Sequence, residues 1–282
     1  MSLDSVLVIG STGTQGGAVA RHLLERNLEV HALTRDNDSS AARDLAQRGA
    51  EVVEADLSDK NSIEPLIEDA DGVFCMTNFW EHGYDGEVEQ GTNVADLTAD
   101  VGVEHFVFSS VGGAERNTGI AHFDSKWEIE RHIDDLELPA TIVRPVFFTQ
   151  NFAGFREAIE EGSLPMGLEP HTPLQIVDVD DLGAFVAEVF ADPERYVTES
   201  FEIASDELTL ESMAVRFGDA LETGVRAEHL SIPDVEAAQG EEFAVMFEWF
   251  NEQGYQAPID ALQADHDVDF TRLEGTLERE WG

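Results

Sequence analysis

Glycines at 10, 13 and 16, inside Val6-Leu-Val-Ile-Gly-Ser-Thr-Gly-Thr-Gln-Gly-Gly17, are the residues whose spacing suggests chemistry most directly. An apolar run entering them reads as a buried strand, then a tight turn of glycines that tolerate positive φ, then a helix start. The third glycine lets that helix sit close to the sheet. Backbone N–H groups at the helix N-terminus, reinforced by its dipole, suit a pyrophosphate. The expected ligand is a dinucleotide, held by Gly10, Ser11, Thr12, Gly13, Thr14, Gln15 and Gly16. Arg35 closes the next strand pattern, from Glu29. An acid there would accept from a ribose 2′-OH, whereas a guanidinium fork suits a 2′-phosphate. NADP is therefore the expected cofactor, with NAD as the alternative.

Lys126, one of two lysines in the chain, is the next candidate. It shares a helical face with Ile129, Ile133 and Leu136, so its ammonium is expected to reach the strand ends. There it binds a ribose or pairs with an acid. The elements that must position it are strands at 51–55, 72–77, 105–110 and 140–144, alternating with helical stretches. Such alternation builds an α/β fold with a doubly wound parallel sheet of the Rossmann type. We expect this domain at residues 1–150 and a smaller α+β lobe at 151–282 that returns strands to the main sheet. Between the fourth and fifth strands, Val88, Thr92, Ala95 and Ala99 should form the inward face of a helix. In the lobe we expect a helix near 153–161, a strand at 174–177, and a helix with Asp180 or Asp181 as N-cap. Ligands of such sheets lie at the carboxyl ends of the strands, which selects Asp56, Leu57, Thr77, Asn78, Phe79, Phe148 and Asn151. Asp56 could accept from an adenine amine or serve the turn Asp56-Leu-Ser-Asp59, and Leu57 could pack on the ring.

With these residues in place the chain resembles the NmrA-like family, an atypical branch of the short-chain dehydrogenase/reductase superfamily. The resemblance rests on Gly10 to Gly17, Leu33-Thr-Arg35, Gly49 to Val53, Thr77-Asn-Phe-Trp-Glu81, His122-Phe-Asp-Ser-Lys126, Val143-Arg-Pro145 and Asn151-Phe152, in family order. It implies an NADP-binding Rossmann domain with cofactor contacts at Gly10 to Gln15, Arg35, Asp56, Leu57, Thr77 to Phe79, Lys126 and Phe148 to Asn151. It also implies redox-sensing or regulatory roles and, in some members, reduction of quinones or other small molecules. Two departures stand out. Asp36-Asn-Asp-Ser39 follows Arg35 where NADP-preferring relatives often carry further basic residues. His122 stands four residues before Lys126, where active superfamily members use a tyrosine as proton donor. An imidazole titrates near neutrality, so His122 and Lys126 are the catalytic candidates, His122 otherwise having a helix-start or binding role. The leading expectation is a redox-responsive regulator that holds NADP(H). The alternative is a reductase of a quinone or another small carbonyl-type acceptor, with Phe79, Trp80, Phe147, Phe148 and Phe152 around the acceptor.

Composition bounds these readings. Fifty-nine acidic residues against 16 basic ones leave a formal net charge of −43 in 282 residues. Regular apolar strands argue against disorder, and so negative a field, with no basic stripe, argues against direct nucleic-acid binding. Acid spread over the whole surface points to a halophile cytoplasm, where molar salt screens self-repulsion to within about 3 Å. Unfolding midpoints should then rise steeply from dilute buffer to multimolar KCl, and a salt-insensitive midpoint would remove the idea. A single cysteine, Cys75, permits neither an internal disulfide nor a cysteine-based zinc site and reads as a buried structural thiol. No leader and no membrane span are expected, and the partner is a small-molecule substrate or another protein, with the chain a monomer or homodimer.

Overall fold

The computed structural model describes residues 3–281. The strands are β1 (Ser5–Val8), β2 (Glu29–Thr34), β3 (Glu51–Glu54), β4 (Gly72–Met76), β5 (His105–Ser109), β6 (Ala140–Pro145), β7 (Phe147–Phe148), β8 (Ser163–Met166), β9 (Pro173–Val177), β10 (Ser200–Ile203), β11 (Asp206–Thr209) and β12 (Arg226–His229). The helices are α1 (Thr14–Glu25), α2 (Ser40–Arg48), α3 (Lys60–Glu68), α4 (Phe79–Val101), α5 (Ala121–Asp135), α6 (Arg156–Glu160), α7 (Val179–Ala191), α8 (Pro193–Tyr196), α9 (Leu210–Ala220), α10 (Ile232–Gln239), α11 (Glu241–Glu252), α12 (Ile259–Asp265) and α13 (Leu273–Glu280).

Seven strands form one sheet in the order β10-β6-β5-β4-β1-β2-β3, every neighbouring pair parallel. The alternation of side chains in β1 shows how both faces are sealed. Val6 and Val8 enter a core with α1 and α7, including Val19, Leu23, Phe185 and Val189. Leu7 and Ile9 enter the opposite core with α3, α4 and α5, including Ile63, Val94, Ile129 and Ile133. A strand buried on both sides must be apolar at every such position, which is why the run before the glycine turn is unbroken. Strand order reverses at β1, flanked by β2 and β4, and that reversal opens a crevice above the strand ends. The doubly wound α/β class is as expected, and β10 adds a strand from the C-terminal part to the edge of this sheet.

Beyond β6 the chain builds a small sheet, β11-β9-β7, and a parallel pair of β8 and β12. These pack with α9, α11 and α13 around a separate core containing Phe152, Leu164, Met213, Phe217, Phe247 and Trp281.

Several local expectations change. The first helix, expected over Gly17 to Arg26, spans Thr14–Glu25 and so contains both Gly16 and Gly17. The stretch expected as one helix near 153–161 is a 3-10 segment, Thr149–Phe155, followed by α6. The N-cap of α7 is Asp178, whose carboxylate accepts from Asp180 N–H at 2.9 Å. Asp180 instead pairs with Arg21 and His22 of α1, and Asp181 accepts from Thr271. The inward face of α4 is rotated from the expected one: Glu87, Gly91, Val94 and Thr98 are buried, and of the expected residues Ala95 is buried while Val88, Thr92 and Ala99 are only partly so. Gly91 sits so close to α5 that a Cβ would lie 2.5 Å from Ile129 Cδ1, and this tight packing sets the rotation. Apolar periodicity could not see that a carboxylate, once paired, belongs to the core.

Candidate functional site

The glycine turn is built as an open cradle. Gly10 has φ +77°, and a Cβ on Gly16 would lie 2.3 Å from the Gly10 carbonyl oxygen. Backbone approaches backbone here more closely than any side chain allows. Gly13 at the N-cap of α1 supplies no side-chain acceptor, so the first-turn N–H groups have no side-chain cap. An uncapped helix start at the rim of a crevice is a fitted site for an anion. Ser11 faces away, its buried hydroxyl donating to the Leu33 carbonyl at 2.8 Å, which anchors the turn to the end of β2.

A cleft of about 550 Å³ above this turn is lined by Gly10, Thr12, Gly13, Thr14, Gln15, Arg35, Asp56, Leu57, Thr77, Asn78, Phe148 and Asn151, among others. The strand-end rule therefore brings together residues from across the first 151 positions. Gly16 and Ser11 support the turn from beneath, while Phe79, His122 and Lys126 lie in a second, adjoining cavity. Asp56 joins the cleft wall and also serves its turn, accepting from Ser58 N–H at 2.9 Å. Gln150, inside the expected stretch Phe148 to Asn151, lines the cleft and links it to the C-terminal helix through Asp178 and Glu280.

Arg35 is half-exposed at the cleft mouth, its Nη1 2.7 Å from Glu81 Oε1. The hydrogen bond from Arg35 holds the Glu81 carboxyl below its ordinary range. Glu81 belongs to the first turn of α4, which is separated from the rest of the helix by Gly83 at φ 67°, ψ −176°. Asn78 caps that turn by accepting from Trp80 N–H.

Lys126 is fully engaged. Its Nζ donates to the Thr77 carbonyl at 3.0 Å and to Thr77 Oγ1 at 2.8 Å, and it lies 3.0 Å from Glu87 Oε1. Glu87 has no solvent exposure and also accepts from Thr77 and Ser125 hydroxyls. Of the two roles open to this lysine, the acid pairing is present, and it fixes the end of β4 to α4 and α5. Nearby, Ser109 donates to Gln15 Oε1 at 2.8 Å, which turns the Gln15 amide at the junction of cleft and cavity. Burial pushes the Cys75 thiol up to about 12, so it is an inert core group.

The adjoining cavity, of about 920 Å³, is walled mainly by apolar and aromatic side chains, among them Phe79, Trp80, Phe123, Phe147, Phe148, Met246 and Phe247. It shares Gln15, Met76, Thr77, Asn78, Phe148 and Asn151 with the cleft. Phe152, expected on its wall, is fully buried in the neighbouring core. On the wall stand His122 and Ser110. The Ser110 hydroxyl is buried without a hydrogen-bond partner among the described residues. His122 Nδ1 lies 2.5 Å from Glu242 Oε1, which also accepts the His122 backbone N–H at 2.9 Å. Burial opposes ionisation of Glu242, yet the bonds and charge from His122 outweigh it and hold the carboxyl below its usual range. Glu81, Glu87 and Glu242 were all missed from the sequence, because in so acidic a chain no carboxylate stands out by type.

Comparison with known proteins agrees with this architecture. The model of a family described as the NmrA-like family matches residues 3–278. An NmrA-like family domain-containing protein of Dictyostelium discoideum is 31% identical over 268 residues, covering 88% of this chain and 88% of that one. Among solved structures, an NADPH-dependent quinone oxidoreductase from Escherichia coli complexed with NADPH is 20% identical, with TM-score 0.85 over 99% of both chains. A negative transcriptional regulator, NmrA, in complex with NADP is 18% identical, with TM-score 0.82 over 99% of this chain and 96% of that one. At these identities the structural likenesses show the shared fold. Among the described residues no helix is long and apolar enough to cross a membrane.

Proposed function

Because this chain belongs to the NmrA-like family, we propose that it is an NADP(H)-dependent reductase of a flat, largely apolar acceptor such as a quinone. The observation that carries this reading is the aromatic cavity of about 920 Å³ that opens directly onto the glycine-turn cleft. A purely nucleotide-responsive protein has no need of a second cavity of that size at the strand ends.

In this reading the uncapped start of α1 holds the pyrophosphate, Asp56 and Leu57 border the adenine, and Arg35 faces the 2′-phosphate. Thr77, Asn78, Phe148 and Asn151 lie at the junction, where the nicotinamide would meet the acceptor. When bound, the reduced cofactor supplies the hydride. The chain's own contribution is to align the two ligands and keep water from the junction. NADPH oxidation in concentrated KCl should be stimulated by a simple quinone. NADPH binding without any stimulation would overturn the reductase.

Arg35 shares its guanidinium with Glu81, so a 2′-phosphate must compete with a carboxylate already in place. Arg35→Ala should weaken NADP binding by about 1.5 to 3 kcal/mol, the scale of a charge-assisted hydrogen bond, and leave NAD nearly unaffected. Glu81→Gln should tighten NADP and again spare NAD. Titration of both nucleotides against the three proteins tests this, and equal affinity of the unaltered protein for NAD and NADP would remove Arg35 from the site.

The same turn of α4 favours a second reading, the redox-responsive regulator. Its Glu81 contacts Arg35, its Trp80 stacks on Phe243 of α11 at 5.2 Å, and Gly83 breaks it from the helix. Nucleotide state could thus reach the C-terminal lobe. Unequal affinities for NADPH and NADP⁺ with no turnover would support this reading, and equal affinities would exclude it.

A further inference from the structure

We propose that His122 is the proton donor to the acceptor's oxygen and that Glu242 is the positioning residue that orients it. The proposal rests on the reductase reading and deepens it to a substrate class: flat aromatic acceptors bearing a carbonyl oxygen.

The ring of His122 has two distinct nitrogens with two distinct fates. Nδ1 faces Glu242, and the same carboxylate oxygen takes the His122 backbone N–H. Two bonds to one oxygen fix both the start of α5 and the ring upon it, since the N-cap residue Ile120 offers no side-chain acceptor. Nε2 has no protein partner among the described residues, and His122 lines the cavity. An imidazole whose Nδ1–H is held by a carboxylate presents Nε2 to a substrate, as in other histidine–carboxylate pairs. The ring is boxed by Phe79, Trp80 and Phe123, with centroids at 5.8, 5.1 and 4.8 Å. An aromatic box selects a flat ligand, and the unpartnered Ser110 hydroxyl on the same cavity wall calls for a polar atom on it.

The step balances for a quinone. The acceptor gains a hydride from the reduced nicotinamide and, at its oxygen, the Nε2 proton of the imidazolium. Quinone, hydride and this one proton sum to the neutral hydroquinone, so the products are the oxidised nicotinamide, the hydroquinone and neutral His122, which is reprotonated from solvent. The carboxylate in direct contact with the ring is Glu242 on α11; the other titratable groups on the cavity wall are Lys126 on α5, Glu87 on α4, Glu157 and Glu161 of the α6 segment, and Tyr255, while Asp124 lies two residues on in the first turn of α5.

The test compares two acceptors in the full-length protein with NADPH. Menadione needs a proton at oxygen, whereas crystal violet, a cationic triarylmethane dye, takes hydride at carbon and needs none. His122→Phe should lower the menadione-to-dye ratio of kcat about 100-fold, within the range for loss of a general acid. Glu242→Gln keeps an acceptor for both His122 N–H groups, so the fold should persist. It should lower menadione kcat about 10-fold and move the alkaline limb of its pH profile to lower pH, because an amide does not offset the imidazolium charge. A purely structural Glu242 would leave that limb in place. An unchanged acceptor ratio in His122→Phe, or an unshifted limb in Glu242→Gln, overturns the proposal alone. If the dye is not reduced, the limb decides. Failure of the unaltered protein to reduce either acceptor overturns the reductase reading and this proposal with it.

Discussion

Lys126→Met lowers the thermal midpoint by roughly 6 to 20 °C, the consequence of removing about 3 to 5 kcal/mol by stripping a buried ion pair of one partner. The expectation follows from Glu87, which has no exposure and keeps only the Thr77 and Ser125 hydroxyls once the ammonium is gone. Hydroxyls do not compensate a full buried charge. The double variant Lys126→Met with Glu87→Gln should recover most of the loss, since an amide in that place carries no charge to strand. Turnover should stay depressed, because the ammonium on the cavity wall is still missing. Thermal unfolding in fixed KCl, read for both singles and the double, provides the cycle. A Lys126→Met protein as stable as the unaltered one would mean that the pair contributes nothing.

Gly16→Ala should abolish measurable NADPH binding, whereas Gly13→Ala should not. On Gly16 a Cβ would stand 2.3 Å from the Gly10 oxygen, 2.5 Å from its carbon and 2.9 Å from Ser11 N, all backbone atoms with no rotamer to yield. The turn must open, at a cost of about 1 to 3 kcal/mol or more in stability, and the first-turn N–H groups lose their aim. On Gly13 the nearest atom is the Gly10 oxygen at 3.3 Å, which a shift of tenths of an ångström relieves. Gly10→Ala falls between: φ +77° costs about 1 to 2 kcal/mol, and the clash is with the movable Met76 side chain. Nucleotide titration and denaturant unfolding across the three variants give the ranking. A Gly16→Ala protein that binds NADPH normally would show that this turn does not hold the pyrophosphate.

These two cases mark where sequence reasoning ends. Local backbone demands are written in residue type: the glycine turn, the apolar run of β1 and the strand-end positions Arg35, Asp56, Thr77 and Asn151 all reach the cleft wall as their spacing implies. The inward side of α5 is also readable, because Ile129 and Ile133 carry the helical period. The face of α4 is not, since its period is interrupted by a buried carboxylate whose countercharge is a lysine 39 positions further on. Nor was the N-cap of α7 readable: Asp180 or Asp181 is expected, but Asp178 takes the role, and the three acids are equivalent until their partners are in place.

By itself the sequence determined the sheet, the nucleotide-type turn and the membership of most cleft residues, because strand burial, positive φ and helix periodicity are properties of neighbours along the chain. Only the tertiary structure decided how the charges are spent: Lys126 on Glu87, Arg35 on Glu81 and His122 on Glu242. With 59 acidic residues available and 16 basic ones, every cation has many possible partners. Coulomb attraction carries no sequence period, so packing alone selects which carboxylate each cation meets.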